Sequence, residues 1–558
     1  MNSMRKMVIP FAYDQLEYLT DLIDREGEDA NIAGYPASAD DSGFTDGAII
    51  HASVLMYVNA RENDDPRLES YKARMLRFFD RITEDSILET WGKLSTLESL
   101  RLLADNHILS ILPESKLALL KCKTDYTDFL DKETLTFKKR LPTNYYHVAM
   151  ECAGQREILG FEDEGMSDRL ADKMFSIMQS YGESGWMDEQ PPHGRFDSYS
   201  VGMNLTMCSA LTKIGKPVPD FLKVNLQKTI DLYYAKRNRD GNGFAYGRSL
   251  SIYGDKGVAG HLAYALANNL LKETQINEAV MYCLHIVEKQ LNFWFRKDLR
   301  SCDIWLDGRA TEGYRGIHRI FSVNMDFCVS LLGLLKQFEK AGLADYVPSK
   351  DLEEPKTWEW HKTTFIENET SARAMYVLRR GKHSFMLPLI GLGSRFGNAS
   401  YMPFAAEPRF TEAPPAGIRM PFLVPEVILQ NGDITMPIEF YESITETAEE
   451  DMLTITAKGR LCKMNLGEPF MSDYGFTTVY TFKGDMMKAE FSFENAAVSY
   501  ILYAGQETKH VKFTNVLTQK LLDVSGNPDY HAPHGALTKC IVAVGCDNRI
   551  GYEITLNS

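Results

Sequence analysis

Three polar stretches carry side chains able to move a proton or grip an anion. Pro142-Thr143-Asn144-Tyr145-Tyr146-His147 opens a helical pattern with an amide, two phenols and an imidazole. Asn144 has two readings there: a helix N-cap, or an amide presented to a substrate. The second stretch runs from Gly185-Trp186 through Asp188, Glu189, His193 and Arg195 to Phe196-Asp197-Ser198-Tyr199. Asp197 or Ser198 caps the helix that follows, which puts Tyr199 in its first turn. The third stretch holds Arg237, Arg239, Asp240, Gly241, Gly243, Phe244, Tyr246, Gly247, Arg248 and Ser249, with Tyr253 and His261 beyond. Its glycines permit tight turns, but no phosphate-binding loop motif is present.

A fourth loop, 300–319, adds Arg300, Arg309, Arg315, His318 and Arg319. With Arg195, Arg237, Arg239 and Arg248 it concentrates guanidinium groups in loops of a chain whose net charge is −15. Guanidinium binds carboxylate and sulfate bidentately, so the cluster points to an anionic ligand, although solvated loop charge explains any single arginine. Trp186, Phe196, Phe244, Tyr246 and Trp305 offer flat faces for sugar rings, or ordinary core packing.

These loops are positioned by helices. Ile276, Val280, Leu284, Val287 and Leu291 recur at helical spacing, as do Val258, Leu262, Leu266 and Leu270. Similar patterns recur through the first two thirds and predict about a dozen helices. Polar loops near residues 43, 94, 144, 191, 247 and 309 come roughly 50 residues apart, the length of a helical hairpin. Six hairpins closing on themselves form an α/α toroid with these loops around one cavity; an open solenoid or bundle is the alternative. Beyond residue 370 the period changes to two. Ala489, Phe491 and Phe493 alternate with Lys488, Glu490 and Ser492, and Asn431-Gly432 is a hairpin turn between two strands. The expected organisation is α then β: a toroid over 1–345, a linker over 346–370 and an antiparallel β-sandwich domain over 371–558.

Composition narrows the function. No apolar run approaches the ~18 residues of a membrane span, and an acidic chain does not suit nucleic acid. Nine scattered cysteines without a CxxC pair argue against a disulfide framework and a zinc cluster. A cytoplasmic enzyme with no cofactor and no metal is expected, with an acidic oligosaccharide as partner and a homo-oligomer possible.

Several of these residues resemble the DUF2264 family: Asn144, Met150-Glu151, Leu159-Gly160, Gly185-Trp186, Phe196-Asp197-Ser198-Tyr199, Asp240-Gly241 and Gly247-Arg248-Ser249-Leu250. More distantly, the domain order is similar to heparinase II/III-type and alginate-type polysaccharide lyases. The resemblance implies a toroid with a β-sandwich and β-elimination from a uronic-acid glycan. In those lyases an Asn or Arg neutralises the substrate carboxylate, a Tyr acts as acid or base, and a His assists. Asn144 matches that Asn and Tyr199 that Tyr; the His expected directly after the Asn is displaced, since Tyr145 and Tyr146 precede His147. His383 and Tyr401 are the β-domain residues best placed to assist.

Elimination removes a weakly acidic proton beside a carboxylate, so neutralising that carboxylate stabilises the enolate. Asn144 and Arg248 suit that task. Tyr199 or Tyr246 would move the proton, with His193 as partner. His147, Trp186, Asp188, Glu189, Arg195, Asp197, Arg239, Tyr253 and Arg315 would hold the sugar. A glycoside hydrolase using two of Asp188, Glu189, Asp197 and Asp240 is the alternative, and an inert sugar-binding toroid a second. If an acidic oligosaccharide is the ligand, its affinity should fall as salt is raised and drop about tenfold in Arg248→Ala. Equal affinity for neutral and acidic sugars in a binding titration would refute this.

Overall fold

The computed structural model describes residues 2–40, 43–180, 184–188, 196–247, 249–310, 316–367, 371–391, 422–463, 470–494, 497–505, 508–545 and 547–556. Within them twelve helices precede the long strands. Six form an inner ring: α2 (Phe44–Glu62), α4 (Thr90–Asp105), α6 (Tyr145–Ile158), α8 (Ser198–Lys213), α10 (Ile252–Ala267) and α12 (Ile320–Lys340). Each packs on the next, and α12 returns to α2. The intervening helices lie outside: α1 (Met4–Glu26), α3 (Leu68–Arg81), α5 (Glu114–Lys123), α7 (Met166–Ser180), α9 (Asp220–Ala235) and α11 (Glu273–Lys289). Helix α1 packs on both α2 and α12 and so covers the seam where the chain meets itself.

Close approach at the α2–α4 contact requires glycine. A Cβ on Gly47 would stand 2.5 Å from the carbonyl oxygen of Gly92. Several expectations need adjusting. The loop expected near residue 94 lies inside α4, whose first residue is Thr90. Helix α1 begins at Met4, with the Ser3 hydroxyl accepting from the Lys6 amide, and runs through Pro10 in its interior. The stretch Ile317–Lys340 is long and apolar enough to cross a membrane, with a mean hydropathy of 1.2, contrary to the expectation of no such run. Its place in the inner ring accounts for that composition, since a helix packed on several neighbours is apolar over much of its circumference.

The β region holds two antiparallel sheets. The smaller joins β1 (Glu359–Glu367), β2 (Ala372–Arg380) and β3 (His383–Leu389) in that order. The larger is built from β4 (Glu426–Leu429), β5 (Ile434–Glu449), β6 (Met452–Lys463), β7 (Phe470–Lys483), β8 (Met486–Phe493), β9 (Ala497–Ala504), β10 (Val511–Thr514), β11 (Val516–Asp523), β12 (Lys539–Gly545) and β13 (Arg549–Thr555). Its order is β10-β13-β8-β7-β6-β5-β4-β9-β12-β11. The Asn431-Gly432 turn joins β4 to β5, with Gly432 at φ +85°. Strand β1 lies within the stretch expected to be a linker.

Strands β2 and β3 of the small sheet are buried on both faces. Tyr376, Leu378, Phe385 and Leu387 join the core of the large sheet. Met375, Val377, Met386 and Phe365 join the helical core. Period-two alternation therefore sorts successive side chains into two different cores. The α2–α4 contact yields a test. Gly47→Ala should lower stability by about 1–3 kcal/mol through overpacking. Gly333→Ala, at an exposed α12 position with open space around it, should not; equal melting temperatures for the two would contradict the close-approach argument.

Candidate active site

The inner helices begin at one end of the ring. Arg319, preceding α12, lies over the Phe44 ring of α2 at 4.8 Å. Gly43 abuts Ile87 and Leu88 ahead of α4. Trp91, in the first turn of α4, has its ring 6.1 Å from the His147 imidazole of α6. Gly247, at φ +75°, lets the loop before α10 pass against Asp197, where a Cβ would collide with that side chain. These contacts bring the starts of α12, α2, α4 and α6 together, and those of α8 and α10.

Asn144 is buried and does not act as a cap. Its backbone is helical (φ −59°, ψ −18°), whereas a capping side chain needs extended geometry to reach back to the amides. The amides of Tyr145, Tyr146 and His147 bond instead to the carbonyls of Pro142, Thr143 and Asn144. The Asn144 side chain is thereby left over, and its Oδ1 has no hydrogen-bond partner. Asp197 does cap: its carboxylate accepts from the Tyr199 amide at 2.9 Å. That fixes Tyr199 in the first turn of α8, beside α6. The Ser249 hydroxyl donates to the Tyr199 hydroxyl oxygen at 3.0 Å, a bond that does not use the phenol's own proton. Ser249 and Ser251 hold φ values of 59° and 61°, costly for residues with a side chain, and the enclosed Ser251 hydroxyl lacks a partner. Tyr253, half-buried, carries Lys256 over its ring at 5.4 Å.

Other expected site residues hold the toroid to the β region. The Trp186 indole donates to the Thr364 carbonyl at 3.1 Å, and its ring meets Phe365 at 5.2 Å. Phe196 packs on the same ring at 4.9 Å. The Tyr246 hydroxyl donates to the Gly391 carbonyl. Arg239 donates to the Leu352 carbonyl and to Glu354. Asp188 is buried, and His383 is buried with its ring stacked on Phe385 at 5.8 Å. His193, Arg248, Glu189, Arg195, Arg315 and Tyr401 lie outside the described residues. Among the described residues of the arginine cluster, Arg237 pairs with Glu278, Arg300 with Asp14, and Arg309 donates to the carbonyls of Phe293 and Asp303. Arg319 differs, because its enclosed Nε has no acceptor.

Trp91 was not foreseen as part of the site. Its only sequence signal is an aromatic in the first turn of an inner helix, and the loop expected near residue 94 hid that turn. Among the described residues no group of three acidic, His or Cys side chains could hold a metal. The His147 Nδ1 lies 2.6 Å from the Asn144 carbonyl. A carbonyl only accepts, so Nδ1 carries the proton and Nε2 is the lone-pair nitrogen. Burial lowers the His147 pKa to about 4, against the pull of that carbonyl. His261, deeper on α10, bonds the Gly257 carbonyl and is lowered to about 4, again chiefly by burial.

No protein-family model matches the chain, one for DUF2264 included, and no curated protein matches it in sequence. Solved structures do resemble it. Chondroitin AC lyase of Streptomyces coelicolor A3, in complex with chondroitin sulphate, matches with a TM-score of 0.51 at 10% identity, over 100% of this chain and 82% of that one. A Paenibacillus xanthan lyase matches with a TM-score of 0.51 at 9% identity, over 99% of this chain and 57% of that one. At such identities the likeness is one of fold: a helical toroid followed by a β domain.

The two buried imidazoles make stability depend on pH. Their folded values lie below the ordinary ~6.5, so between pH 6.5 and about 4 the unfolded chain binds protons that the folded one refuses. Stability should therefore fall as pH drops through this window. His261→Gln should flatten the slope of melting temperature against pH; an unchanged slope would show that His261 is not held neutral.

Proposed function

We propose that the chain is a lyase that opens a uronic-acid-containing oligosaccharide by β-elimination. The observation that carries this reading is the Asn144 side chain: buried, at the N-terminal end of an inner helix, and not used as a cap, beside the helix that holds Tyr199. The Asn144 Nδ2 group, donating to the uronate carboxylate, would stabilise the charge that develops when the C5 proton leaves. Tyr199, oriented by Ser249, would pass that proton to the glycosidic oxygen. The C5–H bond breaks, a C4–C5 double bond forms, and the C4–O bond opens with its oxygen protonated. Trp91, half-buried beside His147, supplies a face for the sugar ring. The likeness of fold to two polysaccharide lyases agrees with the reading.

The hydrolase alternative needs two carboxylates free to act. Of the four weighed, Asp197 is committed to its cap, Asp240 is exposed, and Glu189 is outside the described residues. Ultraviolet absorbance of an unsaturated uronide product separates the two chemistries directly. Tyr199→Phe should cut turnover by about 10²–10⁴-fold with little change in binding. Asn144→Ala should cost about 10²–10³-fold. Near-full turnover in Tyr199→Phe, with loss in Asp188→Asn, would replace the lyase with a hydrolase.

A further inference from the structure

The loop that carries Ser249 is closed at its base by one buried carboxylate. Asp255, in the first turn of α10, takes three donors. Its Oδ1 accepts from the Gly243 amide at 2.7 Å. Its Oδ2 accepts from the Trp294 indole at 2.7 Å and faces the Lys289 ammonium at 2.9 Å. Beside these, the Phe244 amide donates to the Gly254 carbonyl at 3.3 Å, so the two ends of the loop meet, as in a compact Ω-type loop. Two glycines permit the approach. A Cβ on Gly243 would stand 2.5 Å from the Asp255 Cα, and one on Gly254 would collide with the Phe244 carbonyl oxygen. Lys289 also donates to the Asn242 Oδ1 at 2.8 Å, and the Tyr282 hydroxyl to the Asn242 carbonyl at 2.5 Å. Both belong to α11, which continues as a π-helical turn, Gln290–Trp294, a rare geometry that recurs at functional sites.

The Asp255 and Lys289 side chains are only 5% and 10% exposed. An ion pair so enclosed adds little net stability, because desolvation of both charges offsets their attraction. What it does fix is geometry. Further along the loop, Gly247 passes against the Asp197 side chain, and Ser249 holds a φ of 59° that persists only where the surroundings over-determine it. In that conformation the Ser249 hydroxyl donates to the Tyr199 oxygen at 3.0 Å. We infer that Asp255 is a positioning residue: by holding Gly243 against the start of α10, it keeps Ser249 in place to orient the Tyr199 hydroxyl. Lys289 and Trp294 brace the Asp255 carboxylate from the side of α11. The path runs from loop base to Ser249 to phenol and ends on the proposed proton carrier. Its consequence for turnover rests on the proposed reaction; the orientation of the phenol does not.

NMR of the intact protein with tyrosine labelled at the ring ζ carbon tests this, the Tyr199 resonance being identified by its loss in Tyr199→Phe. Ser249→Ala should move that resonance. Asp255→Asn should move it too, since the new amide nitrogen is itself a donor and cannot serve three donors as the carboxylate does. The double variant should move it no further than Ser249→Ala alone, because both act through one contact. A resonance left in its native place by Asp255→Asn would overturn the assignment. If that variant does not fold, Gly243→Ala decides in the same way, since its Cβ pushes the loop off α10 without leaving Lys289 unpaired. In lyase assays Asp255→Asn should lower kcat by about 10²-fold with KM nearly unchanged. Added to Ser249→Ala it should cost nothing more; losses that multiply would mark Asp255 as structural only and overturn the assignment as well. A native protein that forms no unsaturated product, but whose Tyr199 resonance follows Asp255, upholds the anchor and removes the lyase reading.

Discussion

A closed ring of helical hairpins leaves no choice about where helix ends go. Once α12 packs back on α2, all six inner helices start at the same mouth. Each N-terminus brings unsatisfied amides and roughly half a positive charge. The outer helices run the other way and put their negative ends at the rim, so the positive ends sit innermost. In a chain with a net charge of −15 the local field at the mouth is therefore set by backbone orientation as much as by side-chain count. The caps follow from the same constraint: Asp197 answers the amides of α8 with its own carboxylate. At α6 the amides turn to backbone carbonyls and the Asn144 Oδ1 is left without a partner.

The second constraint is the seam between toroid and β region. Trp186, Phe196, Tyr246 and Arg239 stand in mouth loops, but each reaches strand β1, the chain after β3, or the segment before β1. Lys236, fully buried, donates to the Ser384 carbonyl, and Ser384 donates back to the Lys236 carbonyl. Aromatic and cationic residues in a loop serve equally for sugar or for a neighbouring sheet. Composition alone does not separate the two.

That ambiguity marks how far the sequence could be read. Local signals were legible: helical period in α10 and α11, the Asp197 cap ahead of Tyr199, strand alternation in β8, and the Asn431-Gly432 turn. Each depends on residues a few positions apart. The start of α4 was not legible, because Thr90-Trp91-Gly92-Lys93 has the look of a loop until Gly92 is seen to be the surface on which Gly47 packs. Nor was the Asp255 anchor, whose partners Gly243 and Trp294 lie 12 and 39 residues away. The arginines were visible, but their partners Asp14, Glu278 and Leu352 belong to distant segments.

Strand β2 belongs to two cores at once. Its even-numbered side chains from Ala374 to Leu378 enter the sheet core, and Met375 and Val377 enter the helical one. A shift of one residue would exchange the two sets and damage both interiors together. Register here is therefore held from both sides, and neither half of the molecule can settle its packing without the other. The boundary visible in the sequence near residue 345 marks a change of secondary structure, but it is a poor place to cut. Expressed alone, the toroid would show solvent an apolar patch where Met375, Val377 and Met386 now lie, and its natural fate would be aggregation.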